Sequence, residues 1–260
     1  MPTLFLLTKA TGIHQLKQIQ DVLKSELENL DVTFDLKEKT FGKWVQLSFS
    51  GEDQVIATNL VKKEIGVCPV TLETAKDSVE LKGFITKIDE INQRIILDIG
   101  IFDPKVTYAA IPLVHLQRAL FQGKKVALKD VSQVYALREN VPLNVAITSF
   151  EPDDEGFLEA DLSFAQTQKL LYWKDSLLDR LLVLGASKNE VSSAIEHSRL
   201  NRDIIDIESL GLFEFSLTCK LGTEAVGVIP QVGWYLKRSS FLVFNPRRIF
   251  KLIGESSLDL

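Results

Sequence analysis

Val79-Glu80-Leu81-Lys82-Gly83-Phe84-Ile85-Thr86-Lys87-Ile88-Asp89-Glu90-Ile91-Asn92-Gln93-Arg94-Ile95-Ile96-Leu97-Asp98-Ile99 is the stretch on which the fold turns. Two runs rich in β-branched and apolar residues, 79–88 and 94–99, flank the polar turn Asp89, Glu90, Ile91, Asn92, which is the pattern of a β-hairpin. Downstream, 113–121 predicts a short helix stopped by Gly123, and 125–129, 133–137 and 143–148 predict further strands. About five short strands with a helix inserted after the third suit a small β-barrel of the oligonucleotide-binding (OB) or S1-like type over 77–150. Other small β folds share these features.

Upstream, 1–76 predicts an α+β sandwich. Residues 3–7 are continuously apolar, as in a strand covered on both faces. Ile13, Leu16, Ile19, Leu23, Leu27 and Leu30 recur at helical spacing. Val45, Leu47 and Phe49 alternate with Trp44, Gln46 and Ser48 as a strand would, and Ser50 with Asp53 reads as a weak capping box for a helix through 60–65. Beyond the hairpin region, 151–156 is a polar connector or a long hairpin loop. A C-terminal α+β domain over 151–260 would open with a helix whose stripe is Phe164, Leu170, Leu171, Leu177, Leu178, Leu181 and Leu182, closed by Gly185. Ser187 and Glu190 then form a capping box for a second helix reaching about Arg199. Strands over 203–208 and 212–219 follow, the latter with Phe213, Phe215, Leu217 and Cys219 on one face. The class expected is therefore α+β, in three units.

A chain of 260 residues fits two or three cores of about 70–110 residues each. With 45% hydrophobic and 25% charged residues it has the composition of a folded protein. The apolar start meets Lys9 at once, and no run nears 18 apolar residues, which predicts a protein neither secreted nor membrane-spanning, hence cytoplasmic. Cys68 and Cys219 are the only cysteines, so a disulfide framework or a thiolate metal site would lack partners, and both read as buried apolar residues. His14, His115 and His197 are isolated, one per unit, so no metal site or cofactor is expected. No phosphate loop, nucleophile elbow or dinucleotide fingerprint is present, and no catalytic residue is expected.

Cations are unevenly placed. The net charge of −5 disfavours indiscriminate coating of nucleic acid, yet 225–254 holds Lys237, Arg238, Arg247, Arg248 and Lys251 and no acid. Trp234, Tyr235, Phe241, Phe244 and Phe250 interleave with these bases, which is what a single-stranded nucleic-acid platform needs; the same pattern also suits a buried strand with charged ends. Arg118, Lys124, Lys125 and Lys129 form a smaller basic cluster. Gly222, Thr223, Gly227 and Gly233 mark a segment that reads either as a ligand-cradling loop or as a tight crossover. Helix, Gly-Ala-Ser turn, helix and two strands is also the order of a winged helix-turn-helix, although Lys188, Ser192, Glu196 and Arg199 would make a poor phosphate-binding face.

The run from Asp206 to Leu212, and the pattern Gly222-Thr223-Glu224-Ala225-Val226-Gly227-Val228-Ile229-Pro230-Gln231-Val232-Gly233, resemble the signature of an uncharacterised archaeal family, one of the domain-of-unknown-function families. Gly123-Lys124-Lys125 and Val141-Pro142-Leu143-Asn144-Val145 resemble its middle region. The resemblance implies an archaeal cytoplasmic protein and brings no known activity. The expectation is a non-enzymatic RNA-associated factor in transcription or translation. Its partners would be RNA or a nucleoprotein complex, with polymerase or ribosomal proteins as candidates. The alternatives are an enzyme binding a small ligand at 222–233 and a protein-only adaptor.

Overall fold

The 79–99 hairpin forms as predicted in a computed structural model that describes residues 3–10, 12–38 and 43–254. These residues divide into two compact units, one of 1–78 with 99–107 and one of 79–98 with 108 onward.

In the first unit, β1 (Thr3–Lys9), α1 (Ile13–Glu26), β2 (Val32–Glu38), β3 (Trp44–Gly51), α2 (Gln54–Glu64), β4 (Val70–Thr71) and α3 (Leu72–Lys76) follow in order. β3 lies centrally in an antiparallel β1-β3-β2 sheet. Val45, Leu47 and Phe49 are buried together with Ile19 and Leu23 of α1 and Ala57 and Val61 of α2, so the period of two and the period of 3.6 meet in one core. β1 differs from expectation: only Leu6 and Thr8 are buried in it, because it is a sheet edge rather than a doubly covered strand. The capping box at Ser50 is also absent. Asp53 is the N-cap without a side-chain cap bond, and its Oδ2 instead accepts from the Asp31 N–H at 2.9 Å. Gly100, at φ +75°, abuts Cys68, where an added Cβ would stand 2.7 Å from the sulfur. Only glycine fits there.

After α3 the chain forms β5 (Leu81–Asp89), β6 (Arg94–Asp103, its residues from 99 on in the first unit), β7 (Thr107–Pro112), α4 (Leu113–Phe121), α5 (Leu128–Val134), β8 (Pro142–Ser149) and β9 (Phe157–Leu162). The strand order β6-β5-β8-β9-β7 closes through a β6–β7 pairing into a five-stranded barrel. Its third and fifth strands, β7 and β9, run parallel. That order is the Greek-key connectivity of small OB-like barrels. Two strands read at 125–129 and 133–137 are instead the approach to and start of α5 and its end with the turn after it: Leu128, Val131 and Val134 are buried at steps of three, which is helical spacing. The barrel's third and fifth strands, β7 and β9, lie at 107–112 and 157–162, and 150–156 is the loop between β8 and β9.

The chain continues through α6 (Phe164–Asp175), β10 (Arg180–Leu184), α7 (Lys188–His197), β11 (Ile204–Ser209), β12 (Glu214–Cys219), α8 (Ala225–Gly233), β13 (Ser240–Phe244) and α9 (Pro246–Ile253). These strands form an antiparallel sheet in the order β11-β12-β10-β13. Leu181 and Leu182 therefore belong to a strand and not to the tail of the preceding helix. β10 is buried at every residue, and a continuously apolar central strand cannot be told from a buried helix by spacing alone. Because β10 separates α6 from α7, these two helices do not form a helix-turn-helix. The Ser187–Glu190 capping box forms in both directions. None of the described helices is long and apolar enough to cross a membrane.

Candidate functional site

Alternate residues of the C-terminal sheet face opposite ways. Leu181, Val183, Phe215, Leu217 and Cys219 join Val191, Ala194 and Ile195 of α7 and Ala225, Val228 and Val232 of α8 in one apolar core. The opposite face carries buried polar groups beside Leu182 and Phe244. Register places Asp206, Thr218 and Arg180 in one row across β11, β12 and β10, with Glu208, Ser216 and Leu182 in the next. Arg180, Glu214, Ser216 and Thr218 are all buried.

α6 covers part of this face. The Trp173 ring lies 4.9 Å from the Arg180 guanidinium and 5.4 Å from the Phe244 ring, and its Nε1 donates to Glu208 Oε2 at 3.2 Å. Lys169 Nζ reaches Glu208 Oε1 at 2.7 Å. A groove of about 660 Å³ opens between α6 and β11, lined by Tyr172, Trp173, Arg180, Ile205, Asp206 and Thr218 among others. Towards the barrel, Lys82 of β5 donates to the Leu210 carbonyl at 2.9 Å, and burial holds its ammonium below the ordinary lysine value despite attraction from Glu214. Burial likewise pushes the Glu214 carboxyl up to about 7, against the opposing pull of the Phe213 N–H and Lys82. No sequence signal marked this face: the alternation Glu214, Ser216, Thr218 is what a solvent-facing strand side also shows.

The predicted site residues fall into separate groups. Lys124 and Lys125 follow α4, and Arg247 and Arg248 lie in the first turn of α9. All four are exposed. α9 packs against α5 and α6, and Lys124 Nζ lies 3.5 Å from the Ile253 carbonyl at the far end of α9. That contact brings the loop carrying Lys124 and Lys125 to the C-terminal end of α9, and Lys129 of α5 and Lys251 of α9 are also exposed. Among the described residues no carboxylate pairs with Lys125, Lys129, Arg247, Arg248 or Lys251. Arg118 differs, because its Nη2 is held by Asp161 at 2.8 Å, which also takes His115 Nδ1 at 2.7 Å.

Trp234 and Tyr235 sit at the end of α8, on the other side of the sheet from α9. They are 70% and 48% exposed. Lys237 Nζ lies 5.0 Å over the Trp234 ring, Tyr235 lies beside His197 with ring centroids 5.5 Å apart, and Arg238 is exposed. Phe244 and Phe250, by contrast, are buried. The edge strand β13 runs between the two groups. Gly222 and Thr223 precede α8, and Gly227 and Gly233 lie within it. The 222–233 segment is therefore largely helix, its Ala225, Val228 and Val232 buried at helical spacing.

The β5–β6 and β8–β9 loops of the barrel are acidic. Arg94 is tied to Asp89, Asp153 and Glu155, and β6 and β7 are buried along most of their length.

The model of the DUF2110 N-terminal domain matches residues 9–69, and that of the DUF2110 C-terminal domain matches residues 178–244. Two regions of the chain are thus similar to the two domains of one domain-of-unknown-function family. No curated protein matches it.

Proposed function

We propose that this chain is a non-enzymatic nucleic-acid-associated factor, of archaeal origin and acting in the cytoplasm, that holds single-stranded RNA against the surface shared by α5 and α9. The observation that carries the reading is the packing of α5 on α9, which brings the loop with Lys124 and Lys125 to the end of the helix that carries Arg247, Arg248 and Lys251. Among the described residues Lys125, Lys129, Arg247, Arg248 and Lys251 have no carboxylate partner and are available to phosphates, whereas a paired cation such as Arg118 must first leave its acid. The exposed Trp234 and Tyr235 rings, with Lys237 over the first, supply stacking surfaces across the β13 edge. The buried β6–β7 face and acidic 150–156 loop favour α5 and α9 over the barrel as the contact. RNA in a nucleoprotein complex, including one with polymerase or ribosomal proteins, is the partner this surface suits.

The test is fluorescence anisotropy with a labelled 12-nucleotide RNA at several salt concentrations. Affinity is expected to fall steeply with salt, and changing Arg247 and Arg248 to Glu should weaken it about tenfold or more. Salt-insensitive binding, or an unchanged affinity in the double variant, would overturn the proposal. Recovery of polymerase or ribosomal proteins after nuclease treatment would point to an adaptor instead.

A further inference from the structure

Arg180 is 3% exposed. Its guanidinium stacks on Trp173 and donates through Nη1 to Thr218 Oγ1, yet its Nε finds no hydrogen-bond partner. Among the described residues no carboxylate comes within 4.0 Å of it. A buried guanidinium ordinarily sits against an acid, since taking its charge out of water costs several kcal/mol unless a counter-charge answers it. The nearby acids do not serve. Both oxygens of Glu208 are engaged, one by Lys169 and one by Trp173 Nε1. Asp206 attracts Arg180 from a distance but stays exposed on β11, with Thr218 between them in the row. The Thr218 hydroxyl accepts from Arg180 and retains its own proton to donate. Tyr172 and Ile205, 67% and 57% exposed, give the groove apolar flanks. Its volume of about 660 Å³ falls within the range of small-molecule sites.

We propose that the groove between α6 and β11 binds a small organic anion, with a carboxylate or phosphate head against Arg180 and Thr218 and a flat apolar body along Tyr172 and Ile205. This site is independent of the α5–α9 surface. The Lys169–Glu208 pair cancels its own charge, and the other acid lining the groove, Asp206, is exposed and beyond ion-pair distance, so one oxyanion head fits as the close counter-charge of Arg180. The guanidinium supplies a charge-assisted, planar recognition that a lysine could not reproduce.

The indole N–H of Trp173 reports directly on this site, so its amide-type NMR cross-peak is the readout, assigned with Trp173→Phe. The intact protein is titrated with sodium benzoate, with phenyl phosphate, and with sodium chloride at matched ionic strength. A saturable shift with benzoate alone assigns a carboxylate head, with phenyl phosphate alone a phosphate head, and with both a site accepting either. Arg180→Leu should weaken binding by roughly tenfold or more, the scale of a charged hydrogen bond. Asp206→Asn, on the exposed side of β11, should tighten it about twofold by removing a competing acid. Thr218→Val should weaken it severalfold. Shifts no larger than those with chloride, or equal affinity for wild type and Arg180→Leu, overturn the assignment. Should Arg180→Leu lose its dispersed spectrum, unchanged affinity in both Asp206→Asn and Thr218→Val overturns it equally.

Discussion

The two faces of the C-terminal sheet are built by neighbouring residues of the same strands and obey different rules. Leu217 faces α7 and α8 in an apolar core, while Ser216 and Thr218 on either side of it face α6 and the barrel among buried charge. On the first face, burial of carbon holds the fold together. On the second, burial is equally complete for Glu214, Ser216, Thr218 and Arg180, and the polar groups there are only partly satisfied. Such a face costs stability, and a chain that keeps one has a use for it.

Truncation separates the faces most sharply. Leu217→Ala, at a position wholly excluded from solvent, should lower the unfolding free energy by about 2–5 kcal/mol in urea titrations. Glu214→Gln should act in the opposite sense at neutral pH. The folded carboxyl titrates near 7 and the unfolded one near 4.5, so between those values the unfolded state releases a proton that the folded state keeps. Wild-type stability from this group is therefore full below about pH 4.5 and is lost as pH rises through 7. The loss is on the order of 3 kcal/mol at 1.36 kcal/mol per unit. Urea unfolding at pH 5 and pH 8 should show a fall in wild type and a much flatter response in Glu214→Gln, and an equal fall in both would remove the buried acid from the explanation. Ser187→Ala, which breaks a reciprocal cap on the apolar side, should cost about 1 kcal/mol. Ser216→Ala should cost nothing or stabilise by less than about 1 kcal/mol, since its hydroxyl is buried without a partner. A loss above 2 kcal/mol in Ser216→Ala would mean that the hydroxyl is satisfied and that the two faces are more alike than they look.

Elements whose local chemistry and burial agree were legible from sequence. The 79–99 hairpin, the Ser187 cap and the alternation of Phe213, Phe215, Leu217 and Cys219 all combine a local signal with a matching environment. Misreadings arose where tertiary burial overrode it. Pro230 and three glycines argue for a loop at 222–233, yet burying Ala225, Val228 and Val232 under the sheet stabilises a helix there. Leu181 and Leu182 sit at helical spacing from Leu177 and Leu178, yet hydrogen bonding to both β12 and β13 makes their segment the central strand. Of the candidate sites, the cations were visible as residues, but their meeting across α5 and α9 depends on a packing that no linear pattern encodes. The Arg180 groove was invisible for the same reason: Arg180 belonged to what looked like a helix end.

Whether the cations flanking α5 and those of α9 act as one surface is decided by the salt dependence of RNA affinity in four proteins: wild type, Lys124→Ala with Lys125→Ala, Arg247→Ala with Arg248→Ala, and all four changes together. For single strands each lost phosphate contact should flatten the slope of log affinity against log salt by about 0.7, so each pair should remove about 1.4 and the fourfold variant about twice that. A slope left unchanged by either pair would contradict a shared surface.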